Sequence, residues 1–151
     1  LIKQACTCDD YKCGQIFELE EGVVVRTGKL NHPNGACGYR IEFAGKAIAI
    51  CTDTEHFEDD IDQNVVSLSQ DADVMVYDSA YTQENYPKFK GWGHSTWQEA
   101  VKVAETANVK QTFLFHHDPS HDDTKMDAIA KEVAKIRSGV RPAVEGEEIE
   151  I

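Results

Sequence analysis

Two stretches constrain this chain most: DVMVY at residues 73–77 and TFLF at residues 112–115. Each is a short apolar run without polar alternation, the composition of a strand buried in a sheet that helices cover. A helical pattern follows each run. Ser95 or Thr96 opens the first helix, which runs to about Asn108. Thr96 and Glu99 have the spacing of a capping box, and Trp97, Ala100, Val101 and Ala104 make one apolar face. The second helix runs from about Asp123 to Arg137 and stops near Gly139, with Met126, Ile129, Val133 and Ile136 facing inward. Asp123 and Asp127 suit the positive end of its dipole. Ahead of these units, residues 15–19 and 23–30 flank Glu21-Gly22, and residues 39–43 and 46–51 flank Ala44-Gly45, which predicts two hairpins. A short helix is expected over residues 64–70 and a last strand in the tail EGEEIEI. Two hairpins followed by strand, helix, strand and helix predict an α/β or α+β layered fold, with residues 1–151 forming a single domain.

Charge and cysteine usage narrow the function classes. Lys and Arg number 15 against 27 Asp and Glu, a formal charge of −12. Such a surface repels polyanions at long range, which disfavours a large nucleic acid as partner. A small phosphorylated substrate stays compatible where bound metal ions reverse the sign locally. No apolar run approaches the roughly 20 residues of a membrane span, and no signal-peptide pattern opens the chain. No membrane partner and a cytoplasmic location are therefore expected. The cysteines, Cys6, Cys8, Cys13, Cys37 and Cys51, are odd in number, which in that compartment predicts free thiols. CTCDDYKC resembles half of a zinc knot, but its spacing is irregular and no fourth ligand is evident.

Polar clusters recur just after the strands, where α/β proteins build sites. They are LNHPNGACGYRIE around His32, ICTDTEH around Asp53, GWGHSTW around His94 and LFHHDP around His116. Imidazole nitrogen and carboxylate oxygen are the ligands zinc and related ions take, and one carboxylate can bridge two ions. Singly, each cluster has an ordinary explanation. A histidine beside a strand is more often structural, and Asp-Thr at a strand end usually forms a turn. His56 reads as a loop residue. Trp92 and Trp97 read as packing for the loop around His94. Tyr81 and Tyr86 line a pocket mouth or lie on a mobile surface loop.

Taken in order, these segments resemble the C-terminal half of metallo-β-lactamase-fold hydrolases, and within them the RNase Z-like phosphodiesterase branch. The resemblance spans residues 15–137. It implies an αββα sandwich of which this chain has about one half plus flanking strands. His32, ahead of Gly38-Tyr39-Arg40, matches a family metal ligand. Asp53 before Thr54 matches the aspartate that bridges two metals, and His116, rather than His117, matches a ligand of the second. His94-Ser95-Thr96 matches the loop whose histidine assists phosphate chemistry. The family's His-x-His-x-Asp-His cluster, which supplies most ligands to both metals, is absent from this sequence.

The resemblance implies a dinuclear centre of divalent ions, zinc first, with manganese and iron also compatible. It further implies hydrolysis of a small phosphodiester, such as a cyclic nucleotide, by a metal-activated water. In that scheme Asp53 bridges the ions and takes part in catalysis, and His94 stabilises the developing charge or protonates the leaving oxygen. His117 and His121 are rim residues for substrate or members of a solvated loop, and Asp78 and Asp118 are either carboxylates that orient ligand histidines or turn and cap residues. A homo-oligomer or a complementing N-terminal half is the implied protein partner. The alternatives are a non-catalytic sensor or partner-binding module, and an inactive fragment lacking the N-terminal metal-binding half.

Overall fold

The computed structural model describes residues 12–19 and 22–151; Cys6, Cys8 and Glu21 lie outside them. One seven-stranded sheet carries the fold, its strands in strict sequence order. β1 (Ile16–Glu18), β2 (Val24–Leu30), β3 (Ala36–Phe43) and β4 (Lys46–Cys51) form an antiparallel meander. β5 (Val74–Asp78), β6 (Gln111–Phe115) and β7 (Val140–Pro142) extend it in parallel from β4. The parallel connections are α1 (Gln63–Ser69), α2 (Trp97–Thr106) and α3 (Asp123–Ile136). Both predicted hairpins, all three helices and both buried strands are thus present.

Local chemistry explains the boundaries. The β3–β4 turn places Ala44 and Gly45 at φ of 48° and 79°, the positive pair that a two-residue hairpin turn needs. Asp62, Thr96 and Asp122 cap α1, α2 and α3 by accepting backbone N–H bonds in their first turns. Asn108, at φ 53°, ends α2 with two backward bonds, Val109 N to Ala104 O at 2.9 Å and Asn108 N to Glu105 O at 3.3 Å. That is a Schellman closure, with asparagine in the left-handed position usually held by glycine.

Strand alternation sends Ala47, Ala49, Cys51, Met75, Tyr77 and Leu114 into one core beneath the helices. Val65 and Leu68 of α1, Trp97, Ala100, Val101 and Ala104 of α2, and Ile129 and Val133 of α3 complete it. Gly28 and Gly38 face each other across β2 and β3, and Leu68 fills the space above them. A Cβ at Gly38 would lie 2.8 Å from Leu68 Cδ1. The opposite sheet face is also apolar, with Ile48, Val74, Val76 and Phe113, and the tail residues Val144, Ile149 and Ile151 lie against part of it. Phe43 and Phe115 remain about half exposed there. Parallel strands are ordinarily covered on both faces.

Four expectations are corrected. Ile136 is exposed rather than inward, because it falls in the last turn of α3, beyond the sheet contact of Ile129 and Val133. The last strand is β7, not the tail EGEEIEI, which is not strand. Its three residues and terminal proline hid β7 in the sequence; a sheet edge tolerates a proline that cannot donate. Cys13 and Cys37 are joined as a disulfide, their Cα atoms 5.8 Å apart, not free thiols. Cys51 is the free cysteine among the described residues, and burial pushes its thiol up to about 12, far from reactive. Finally, Tyr81 and Tyr86 are buried rather than on a mobile surface loop; Tyr81 stacks on Phe89 with ring centroids 4.5 Å apart, and Tyr86 lines a cleft beside His56 and Glu99.

Candidate metal centre

The loops leaving β4, β5 and β6 at their C-terminal ends meet the β2–β3 turn, the place where α/β sheets present ligands. Asp53 follows β4, Asp78 ends β5 and His116 follows β6. His94 comes at the end of the long β5–α2 segment. Ligand atoms of Asp53, His94 and His116 all lie within 4.8 Å of one another. His32, on the β2–β3 turn, sits beside this group, its ring centroid 5.7 Å from that of His94. The imidazoles of His94 and His116 are closer, at 4.5 Å.

Each histidine is oriented by a partner behind it. His116 Nδ1 lies 2.7 Å from Thr52 O, and since a carbonyl only accepts, that nitrogen carries the proton. Nε2 is then the free, ligand-competent atom. Its backbone holds φ 57°, unusual for a residue with a Cβ and typical of strain kept at functional positions. His94 Nδ1 donates to Asp78 Oδ2 at 2.8 Å. The fully buried Asp78 also accepts from the N–H groups of Thr54, Ala80 and Ser95. Burial pushes the Asp78 carboxyl above its usual range, against the pull of His94. The same hydrogen bond raises His94 above the ordinary imidazole value, opposed by desolvation.

Of the expected site residues, Asp53, His94 and His116 are brought together, with His32 adjacent. His117 and His121 stand outside the group. Burial, reinforced by His121, pushes His117 below the usual imidazole range, which keeps it neutral. The expected pairing of Asp118 with a ligand histidine is not what its carboxylate does: it accepts from Ser120 N at 2.8 Å and closes its own turn. Asp78 is the orienting carboxylate instead. His56 belongs to the loop scaffold, with Nδ1 3.0 Å from Ser95 Oγ and its ring against Tyr86. Trp97 packs in the core, but Trp92 is exposed, touching Phe89 edge-on.

One residue escaped sequence reasoning. Glu55 is buried, and its carboxylate accepts from Tyr86 Oη, Gly91 N and Gly93 N at 2.7, 2.7 and 2.9 Å. Burial works against its charge, but the Gly91, Tyr86 and Gly93 donors hold it below the usual carboxylate range. The only signal was the pair of glycines flanking Trp92, which lie 36 and 38 residues away.

Residues 7–117 match the beta-lactamase superfamily domain, and the chain belongs to that family. Its sheet, with helices on a single face, is one half of the metallo-β-lactamase fold, in an RNase Z-like form. Ribonuclease Z of Bacillus cereus (strain G9842) is 26% identical over 134 residues, covering 89% of this chain and 39% of that protein. The chain thus spans about two fifths of the curated relatives it matches. Among solved structures, the metallo-beta-lactamase fold protein YhfI from Bacillus subtilis superposes with a TM-score of 0.72 at 19% identity, over 91% of this chain and 53% of that one. A diphosphatase from the PhnP family gives 0.66 at 18% identity, over 91% and 47%.

Proposed function

We propose that this chain is a metal-dependent phosphodiesterase acting on a small phosphodiester of the cyclic-nucleotide class. His32, Asp53 and His116 are its metal ligands, His94 serves the phosphoryl group, and His117 and His121 lie toward the substrate rim. The observation that carries the reading is the convergence of Asp53, His94 and His116, with Asp78 beneath His94. Asp53 and the imidazoles of His32 and His116, the latter with Nε2 left free, form a donor set that suits zinc, manganese or iron. When bound, two divalent ions supply Lewis acidity and a water that is nucleophilic near neutral pH.

The protein's own residues do the rest. Asp53 offers two carboxylate oxygens, enough to serve two ions. Thr52 O fixes the tautomer and tilt of His116. Asp78 holds a proton on His94 Nδ1 and favours the imidazolium, so Nε2 can donate to a phosphoryl or leaving oxygen. The remaining ligands come from residues outside this sequence, on the same protein or on a complementing partner. The apolar sheet face, which the tail covers only in part and where Phe43 and Phe115 stay half exposed, supports that arrangement. The curated relatives are ribonucleases by name, but a charge of −12 favours a small substrate over a large polyanion here.

The absence of His-x-His-x-Asp-His from the sequence favours a second reading, a non-catalytic partner-binding module. One experiment separates the two. Elemental analysis of protein purified without added metal is paired with hydrolysis assays on bis(4-nitrophenyl) phosphate, a cyclic nucleotide and a short RNA. The phosphodiesterase reading expects bound transition metal and chelator-sensitive cleavage of the small substrates. Metal without hydrolysis supports the module, and faster cleavage of the RNA overturns the substrate class.

A further inference from the structure

Glu55 stands where three loops cross. Its backbone N–H donates to Asn31 O at 2.8 Å and its carbonyl accepts from Asn31 Nδ2 at 2.9 Å, which ties it to the turn that carries His32. It follows Asp53 by two residues. Its carboxylate takes the two amides on either side of Trp92, directly before His94. Gly91 and Gly93 adopt φ of 88° and 93°, left-handed conformations that aim both N–H groups at the one carboxylate. His32 packs on the Cα of Gly93, where no Cβ would fit. Glu55 therefore touches the segment next to each of His32, Asp53 and His94 without belonging to the ligand group itself.

A buried carboxylate held by neutral donors is a costly way to fasten a loop, since apolar packing would fasten it without desolvating a charge. The arrangement makes sense where placement matters more than stability. We propose that Glu55 is a positioning residue: by clamping Gly91 and Gly93 it sets where His94 stands relative to Asp78 and His116. This rests on the reading that His94 serves the phosphoryl group.

Glu55→Gln is the informative variant. It keeps the oxygen that Tyr86 and Gly91 use but turns an NH2 donor toward Gly93 N. The imidazole N–H resonance of His94, broadened or shifted when Glu55 is replaced, reads position directly and needs no activity. The expected kinetic result is a fall in kcat of about 10- to 100-fold with KM nearly constant, the usual cost of a misplaced reacting group. In a His94→Ala background Glu55→Gln should then cost nothing further, because its effect passes through His94. Tyr86→Phe removes one carboxylate donor without opposing Gly93, and serves as the milder variant if Glu55→Gln folds poorly; it should shift the same resonance less. An unmoved His94 resonance in a folded Glu55→Gln protein, or kinetic losses that multiply with His94→Ala, would overturn the proposal. If the wild-type chain hydrolyses no phosphodiester, the function fails while the resonance still decides the role of Glu55.

Discussion

Asp78 and His94 form a carboxylate–imidazole pair, Oδ2 to Nδ1 at 2.8 Å, with the carboxylate fully buried and the ring at the edge of the ligand group. Sixteen residues separate them in sequence, and the buried N–H groups of Thr54, Ala80 and Ser95 complete the carboxylate's shell. The pair fixes one tautomer of His94 and makes its charged form more stable than in water.

Asp78→Asn should therefore lower the pKa of His94 in the metal-free chain. A folded-state imidazole raised by its partner keeps that stabilisation below the ordinary value near 6.5 and loses it as pH rises through the raised value. Removing the partner moves the His94 transition to lower pH, which an NMR titration of the ring carbons reads directly. Activity should fall about 10- to 100-fold, as for other groups that orient a site histidine. A His94 transition that stays in place would mean that Asp78 is not what raises it.

His116→Ala and His94→Ala should separate holding metal from serving substrate. Both side chains lie in the same group within 4.8 Å, so distance alone does not divide their roles. Elemental analysis should find metal reduced in His116→Ala, with hydrolysis abolished. His94→Ala should retain metal while turnover drops about 10²- to 10⁴-fold, the range of a lost general acid. Equal loss of metal in both variants would make His94 a ligand.

Gly93→Ala should displace His32. Its φ of 93° already strains any residue with a Cβ, and the added carbon would overlap the His32 ring and lie 2.7 Å from Pro33 Cδ. The β2–β3 turn must then shift or the glycine segment must open. Metal affinity should fall by at least tenfold in an equilibrium chelator competition, whereas Gly91→Ala, with open space around its Cα, should be milder. Equal effects from the two substitutions would locate the cost in backbone strain rather than in the His32 contact.

The parts of this molecule legible in the sequence were those set by local pattern. DVMVY and TFLF announced buried strands, Thr96 and Glu99 announced the start of α2, and Ala44-Gly45 announced a hairpin turn. Asp53, His94 and His116 were visible because each sits at a strand end or beside a helix cap. Pairings made across the fold left no such trace. Nothing in the chain says that Asp78, rather than Asp118, reaches a histidine, because that choice depends on how β5 and the segment before α2 are stacked. Glu55 looked like one more acid in ICTDTEH until the glycine amides closed on it. The disulfide between Cys13 and Cys37 forms where the segment before β1 meets β3, a tertiary meeting that cysteine spacing does not announce.

Asp73→Asn should lower stability in a pH-dependent way, at a place far from the metal group. Asp73 Oδ2 accepts from Ala47 N at 2.9 Å and Oδ1 from Lys110 Nζ at 2.7 Å, so one carboxylate links β4 to the turn before β6. Lys110 first, then the Ala47 amide, holds its pKa below the ordinary carboxylate value. A depressed folded-state pKa stabilises the fold above the unfolded value near 3.9, and that stabilisation is lost as pH falls through the folded value. At pH 7 the substitution should cost about 1–3 kcal/mol, since the amide leaves a donor facing donors. Urea denaturation from pH 7 down to pH 3 measures the difference between the two proteins. The gap should narrow as the wild type loses its charged carboxylate, and a gap that stays constant across that range would mean the carboxylate acts by shape rather than by charge.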